Sequence, residues 1–177
     1  DALEHELVCP FTYYGLNIEE RLLKANEEFD YYELAKFIHS AIEQKGYYGE
    51  KLRALLFASN IKEATQISEN LNLLGYKSEV AVSTTSTFED IEKFIESLKS
   101  NDPNSLEIIC TVNKFNEGVD IPEVNTIIML RNTTSSIIYL QQLGRGLRKT
   151  VDPHKYVTVF DIIGNSKNNY TIAEVLT

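Results

Sequence analysis

Two guanidinium groups three residues apart, Arg145 and Arg148, stand in the stretch Gln141-Gln142-Leu143-Gly144-Arg145-Gly146-Leu147-Arg148-Lys149. On a helix this spacing puts both on one face. Two planar, permanently charged forks converging on one point suit a triphosphate whose oxygens gain or redistribute charge during phosphoryl transfer. Gly144 and Gly146 are poor helix formers, and beside the arginines they point to a backbone that must pack closely or admit a phosphate. Taken alone, the same residues equally describe a solvated basic helix end near the negative pole of its dipole.

A second group lies upstream in Cys110-Thr111-Val112-Asn113-Lys114-Phe115-Asn116-Glu117-Gly118-Val119-Asp120-Ile121-Pro122, an apolar run opening into a polar loop. Gly118 allows unusual backbone angles, and Asp120, ahead of a turn stiffened by Pro122, can present a carboxylate to a ribose hydroxyl or to the arginines. An isolated Gly-x-Asp more often marks a plain connection whose aspartate caps local amides. The third group is Ser59-Asn60 at the end of the apolar run Leu55-Leu56-Phe57-Ala58, with Glu63 in the first turn of the helix that follows. Either Ser59 or Asn60 is a natural N-cap, and a helix N-terminus offers free amides to a phosphate. Capping accounts for one of the two, and the other is left to touch a nucleic-acid backbone.

The elements that must position these residues are short β-branched runs alternating with helical patterns. Ala54–Ala58, Ser78–Val82, Glu107–Thr111, Thr126–Leu130 and Val157–Ile163 read as strands. Helical spacing runs from Ile61 to Leu74 and closes at Gly75, from Phe88 to Leu98 after the cap candidates Ser86 and Thr87, and from Ser135 to Leu147 after Thr133 and Thr134. Strands apolar on both faces and separated by helices predict an α/β fold, a doubly wound, mostly parallel sheet with helices on both faces. Such sheets bind ligands at the carboxyl ends of their strands, where all three polar groups fall. Residues 1–50 read as an N-terminal helical connecting segment, with an extended piece around Leu7–Tyr14 and helical stretches at Ile18–Asn26 and Tyr31–Gln44; the domain proper spans 51–177.

Composition narrows the function. With 177 residues, 43% apolar and 24% charged, the chain can bury one core. Runs such as Ile127–Leu130 and Ile137–Leu140 fall far short of the ~20 residues that span a bilayer, and the acidic N-terminus is unlike a signal peptide, so a cytoplasmic protein with no membrane partner is expected. Cys9, Cys110, His5, His39 and His154 do not cluster in ligand spacing, which argues against a metal site or disulfide framework. The net charge of −9 opposes phosphate binding. Residues 1–50, however, carry 11 acids against 4 bases and residues 51–177 carry 15 against 13, so the excess sits in the N-terminal segment. No Gly-x-x-x-x-Gly-Lys-Ser/Thr occurs, because Lys149 lacks the preceding glycine, and no Asp-Glu-Ala-Asp or Asp-Glu-x-His box is present to hold magnesium.

In order and spacing, the three groups resemble motifs IV, V and VI of superfamily 2 helicases of the DEAD/DEAH type, with Gln141, Gly144, Arg145 and Arg148 matching the Gln-x-x-Gly-Arg-x-x-Arg of motif VI. The resemblance covers residues 51–165, and Leu7–Gly15 and Tyr156–Asn165 are similar to segments flanking this domain in bacterial helicases related to type III restriction subunits, nearest among them the DNA-repair helicases. It implies a second, C-terminal RecA-like domain, in which Arg148 is the arginine finger on the γ-phosphate and Arg145 its partner. Gly118, Asp120, Gln141 and Gly144 would face the nucleotide, and Ser59, Asn60, Thr111 and Asn113 the nucleic-acid backbone. Val112-Asn113 stands where many relatives have Thr-Asp, so a hydroxyl for phosphate there comes from Thr111 or is absent. ATP and Mg2+ would be held mainly by a first RecA-like domain of the same parent chain, with DNA or RNA as the other partner, and this chain alone would carry no cofactor and no activity. The alternative is a non-catalytic, doubly wound module for protein interaction or nucleotide sensing, its arginines gripping an acidic partner. An enzyme acting alone on a small nucleotide is disfavoured by the missing phosphate loop.

Overall fold

Ala54, Leu55, Leu56 and Phe57 are all buried, so this strand must be covered on both faces, and it organises the molecule. In the computed structural model, which describes residues 11–16, 30–82, 86–112, 121–130 and 154–162, the elements are β1 (Phe11–Gly15), α1 (Tyr31–Lys45), β2 (Ala54–Phe57), α2 (Ile61–Leu73), β3 (Ser78–Val80), α3 (Phe88–Lys99), β4 (Ile108–Thr111), β5 (Thr126–Met129) and β6 (Val157–Asp161). The strands form one six-stranded sheet in the order β1-β6-β5-β2-β4-β3. Every pairing is parallel, with Leu56 in register with Cys110 and Ile128, and Phe57 with Thr111 and Met129. The expected α/β sheet is thus present.

Side-chain alternation sorts the core into two layers. Ala54, Leu56, Ile108, Cys110, Ile128 and Phe160 cluster with Leu34, Ile38 and Ile42 of α1 and Ala64, Ile67 and Leu71 of α2. Leu55, Phe57, Ile109, Ile127, Met129, Val157 and Val159 face the other way, towards Ile91, Phe94, Ile95 and Leu98 of α3. Burial pushes the Cys110 thiol up to about 12, the behaviour of a small core hydrophobe.

The helices begin where the sequence places polar caps. Asp30 accepts from the Tyr32 and Glu33 amides at 3.1 Å each, and α1 ends at Gly46, whose φ of 70° is a left-handed value suited to glycine. Of the two candidates ahead of α3, Thr87 is the cap, in a reciprocal box with Asp90 (3.0 and 3.1 Å). The strands are one or two residues shorter than predicted. Ala58, Leu130 and Ile162 still donate to Thr111, Phe57 and Met129, but as single rungs beyond the ends of the ladders.

The described parts of the N-terminal segment pack on the elements that follow. β1 is an edge strand on β6, and α1 buries Leu34, Ala35, Ile38 and Ile42 in the same cluster as β2 and β4. The predicted helices Ile18–Asn26 and Ser135–Leu147 lie outside the described residues.

Candidate functional site

Because the sheet is parallel, all strands deliver the chain to one edge at their carboxyl ends. β2 hands the chain through α2 towards β3, on the far side of β4, whereas β5 hands it towards β6 on the opposite side. Adjacent strands whose connections diverge in this way open a crevice at their carboxyl ends. β4, β2 and β5 are consecutive neighbours, and they are the strands that precede the three polar groups of the sequence.

The group after β2 is fully described. Asn60 is the N-cap of α2, its Oδ1 accepting from the Glu63 amide at 2.8 Å. Ser59 donates both its amide (3.0 Å) and its hydroxyl (3.1 Å) to Glu63 Oε1, and Asn60 Nδ2 reaches Ser59 Oγ at 3.3 Å. Glu63, read in the sequence only as a first-turn acid, therefore holds the Ser59-Asn60 pair as the carboxylate half of a capping box shifted by one residue. Asn60 is exposed and Ser59 half-buried, so both amide and hydroxyl oxygens stand at the surface next to the helix start.

Thr111 behaves otherwise. It is 1% exposed, and its hydroxyl donates to the Ala81 carbonyl at 2.7 Å and approaches the Val112 carbonyl at 3.3 Å. With the Ala81 amide donating back to Cys110 at 2.9 Å, this closes the end of β3 onto β4. The hydroxyl that the sequence offered to a phosphate is committed to holding the strand ends.

Asp161 and Tyr13 were not singled out by sequence reasoning. Asp161 is fully buried at the carboxyl end of β6 and accepts from the Tyr13 hydroxyl at 2.6 Å. Burial, and then the Asp161 carboxylate, push the Tyr13 hydroxyl well above the usual phenol range, because ionising it would set a second negative charge in a poorly solvated place. An acid inside the otherwise uncharged run Val157–Ile163 was the available signal. Beyond them, the Leu16 amide donates to the Asp161 carbonyl at 2.8 Å, which ties β1 to the same edge.

The remaining predicted residues, Asn113, Gly118, Asp120, Gln141, Gly144, Arg145 and Arg148, lie outside the described residues. The chain on either side of them is fixed: Val112 follows β4, Leu130 follows β5, and the turn after Ile121 is held by the Val124 amide on the Ile121 carbonyl and by Lys155 on the Pro122 carbonyl. Among the described residues no group of histidine, cysteine or acidic side chains is disposed to hold a metal, and no helix is long and apolar enough to cross a membrane.

Comparison with known proteins places this edge in context. The family described as "Helicase conserved C-terminal domain" matches residues 33–150, more than half of the chain. A "51.5 kDa protein" of a Lactococcus phage (isolate 7-9) is 24% identical over 156 residues, covering 82% of this chain and 33% of that protein. UvrABC system protein B of Treponema pallidum (strain Nichols) is 30% identical over 107 residues, 56% of this chain and 15% of its own length. The chain thus spans a third or less of these relatives. Among solved structures, the ATP-dependent type ISP restriction-modification enzyme LlaBIII bound to DNA superposes with a TM-score of 0.64 at 19% identity, over 96% of this chain and 14% of that one. The motifs read in the sequence, the parallel sheet and the family match agree: the chain belongs to the helicase conserved C-terminal domain family, with a RecA-like fold.

Proposed function

We propose that the chain is the second RecA-like domain of an ATP-dependent superfamily 2 DNA helicase or translocase. The observation that carries this reading is topological: β4, β2 and β5 are neighbours, and at their carboxyl ends the chain runs into the segments that hold motifs V, IV and VI. A crevice at this position is where an α/β sheet takes its ligand.

In this reading Arg148 contacts the γ-phosphate as the arginine finger and Arg145 assists it, stabilising charge that builds up in the transition state. Asp120 meets the ribose or the arginines, and Gly118, Gln141 and Gly144 line the nucleotide's side of the crevice. Ser59, Asn60 and Asn113 face the nucleic-acid backbone, with the start of α2 supplying free amides and Lys62 a nearby cation. Thr111 becomes a positioning residue that fixes β3 to β4 rather than a phosphate contact. This donor set fits a triphosphate gripped from one side. The phosphate loop and the magnesium carboxylates belong on a first RecA-like domain of a longer parent chain, as the relatives' greater lengths suggest. Bound ATP supplies the phosphoryl chemistry, and closure of the two domains brings the arginines to it and couples hydrolysis to movement along DNA. The fragment alone is inactive, and its expected compartment is the cytoplasm.

The test is the DNA-stimulated ATPase of the parent protein, wild type against Arg148→Ala, with ATP affinity measured alongside. Turnover is expected to fall by about three to five orders of magnitude with binding retained. Unchanged turnover would remove Arg148 from the catalytic machinery and with it the second-domain assignment.

A further inference from the structure

The three helices are not held alike. α1 buries Leu34, Ala35, Ile38, Ala41 and Ile42, and α2 buries Ala64, Ile67, Ser68 and Leu71, so each is packed along its length. In α3 the apolar stripe is Phe88, Ile91, Phe94, Ile95 and Leu98, and burial along it rises in one direction. Phe88 is 75% exposed, Ile91, Phe94 and Ile95 are half-buried, and Leu98 alone is fully buried. A helix lying flat on a sheet buries its whole apolar stripe. α3 is instead seated at its carboxyl end and only partly covered towards its amino end.

Polar contacts follow the same gradient. Lys51 Nζ donates to the Ser97, Leu98 and Ser100 carbonyls and to Ser105 Oγ at 2.7–3.2 Å. Arg53 donates to the Leu98 and Ser100 carbonyls at 3.0 and 3.4 Å, and the Leu106 amide donates to Ser97 Oγ at 2.9 Å. Both cations meet the negative pole of the helix dipole from the chain that leads into β2, so this end is fastened to the central strand. At the amino end, Ser86 ties the connection back to the end of β3, its amide donating to the Val82 carbonyl at 2.9 Å. Past it, the exposed box of Thr87 and Asp90 holds only itself. From Phe88 to Ile95 no other side chain makes a hydrogen bond or ion pair among the described residues.

A segment opens locally at a free energy set by the apolar surface and hydrogen bonds it gives up. Opening the first two turns of α3 gives up three half-buried side chains and backbone bonds that water can replace. Opening the last turn would bare Leu98 and strand the carbonyls that Lys51 and Arg53 neutralise. We infer that α3 is a flap hinged at its carboxyl end, whose amino-terminal half, residues 88–95, opens and recloses while the sheet stays folded. Its moving end follows β3 at the carboxyl edge of the sheet, so the motion reshapes one side of the edge that carries the crevice. It follows from packing alone, whatever occupies that crevice.

The test is amide hydrogen exchange of the full chain, read residue by residue by NMR. The amides of Ile91 to Ile95 are expected to exchange about tenfold or more faster than those of Leu98 to Ser100, while the two halves of α2 are protected alike. Equal protection along α3 overturns the proposal, and so does the same gradient in α2, which would be ordinary fraying of helix ends. Phe88→Ala, at an exposed position, is expected to leave exchange in both halves of α3 and the melting temperature as in the wild type. Faster exchange in its amino half would show that Phe88 holds that half down, and would overturn the flap. Lys51→Met loosens the fastened end and is expected to speed exchange at Leu98 to Ser100 several-fold, narrowing the difference between the halves. An unchanged pattern in that variant removes the hinge and with it the proposal. Should Lys51→Met fail to fold by circular dichroism, the wild-type gradient and Phe88→Ala remain decisive.

Discussion

The two edges of the sheet are built from similar residue types put to opposite uses. At the amino edge, polar side chains turn inward onto backbone. Buried Asn125 donates to the Tyr48 and Lys51 carbonyls at 2.7 and 2.8 Å and accepts from the Arg53 amide at 2.9 Å, while Lys51 and Arg53 close the end of α3. At the carboxyl edge, Ser59, Asn60 and Glu63 bind one another at an exposed helix start. The backbone hydrogen bonds of a parallel sheet serve both edges alike, so the difference lies in side chains. The described polar groups of the amino edge fasten backbone, whereas at the carboxyl edge Ser59, Asn60 and Glu63 stay near the surface while Thr111 and Asp161 are buried in hydrogen bonds of their own.

If that contrast is real, activity and stability should come apart by edge. The Arg148→Ala loss of turnover given above is the largest expected effect and should leave the melting temperature nearly unchanged. Asn125→Ala should do the reverse. Removing three backbone hydrogen bonds from a buried site strands the Tyr48 and Lys51 carbonyls and the Arg53 amide, at about 2–4 kcal/mol in total, measured by urea denaturation. A loss below about 0.5 kcal/mol would mean that water replaces the side chain and that the amino edge is no special store of stability.

The sequence announced these edges unequally. Strand positions were legible because every residue from Ala54 to Phe57 is apolar, a pattern only a two-sided sheet requires, and two helix starts because the pairs Ser59-Asn60 and Ser86-Thr87 offered caps, of which Asn60 and Thr87 serve; Asp30, the cap of α1, was not singled out. Strand order was not legible: nothing in a run such as Thr126–Met129 says that it will sit between β2 and β6. Nor could Thr111 be read, since a hydroxyl at a strand end serves a phosphate or a neighbouring carbonyl equally well until the Ala81 carbonyl is found 2.7 Å away. Asn125 gave no signal because its partners, Tyr48 and Lys51, are more than seventy residues away along the chain. The resemblance to motifs IV to VI pointed to the family where residue types alone left capping and catalysis undecided.

Tyr13→Phe sharpens the comparison within the carboxyl edge, where Asp161 is the one described side chain fully buried beside the strand ends and charged in its ordinary state. Deleting the hydroxyl should cost about 1–2 kcal/mol at neutral pH, as for a hydrogen bond to a carboxylate. The Tyr13 hydroxyl is held protonated to higher pH in the folded chain than the ordinary phenol value of 10.0. Its contribution is therefore fully present below about pH 10 and is lost as the pH rises beyond it. The wild type should lose stability more steeply above that pH than Tyr13→Phe, though Tyr47 and Tyr76, shifted the same way, keep some slope in both. Identical slopes would show that the Tyr13 hydroxyl is not what Asp161 relies on.

The smallest effects belong to Asn60, and they separate a cap from a contact. Asn60→Ala removes the acceptor for the Glu63 amide at an exposed position, where water can substitute, so stability should fall by about 1 kcal/mol. Asn60→Asp keeps a good cap and places a negative charge at the positive end of α2, so stability should hold or rise slightly. The two variants therefore straddle the wild type in stability, while both remove the amide group from the surface. If this helix start meets a DNA phosphate, Asn60→Asp should bind dT20 several-fold more weakly than Asn60→Ala, because the added carboxylate repels the phosphate, and the gap should shrink as salt is raised. Anisotropy of labelled dT20 on the parent protein at two salt concentrations reads both quantities. Equal affinity of the two variants would leave Asn60 a cap and nothing more, and would move the path of the nucleic acid along the edge towards the segment that follows β4.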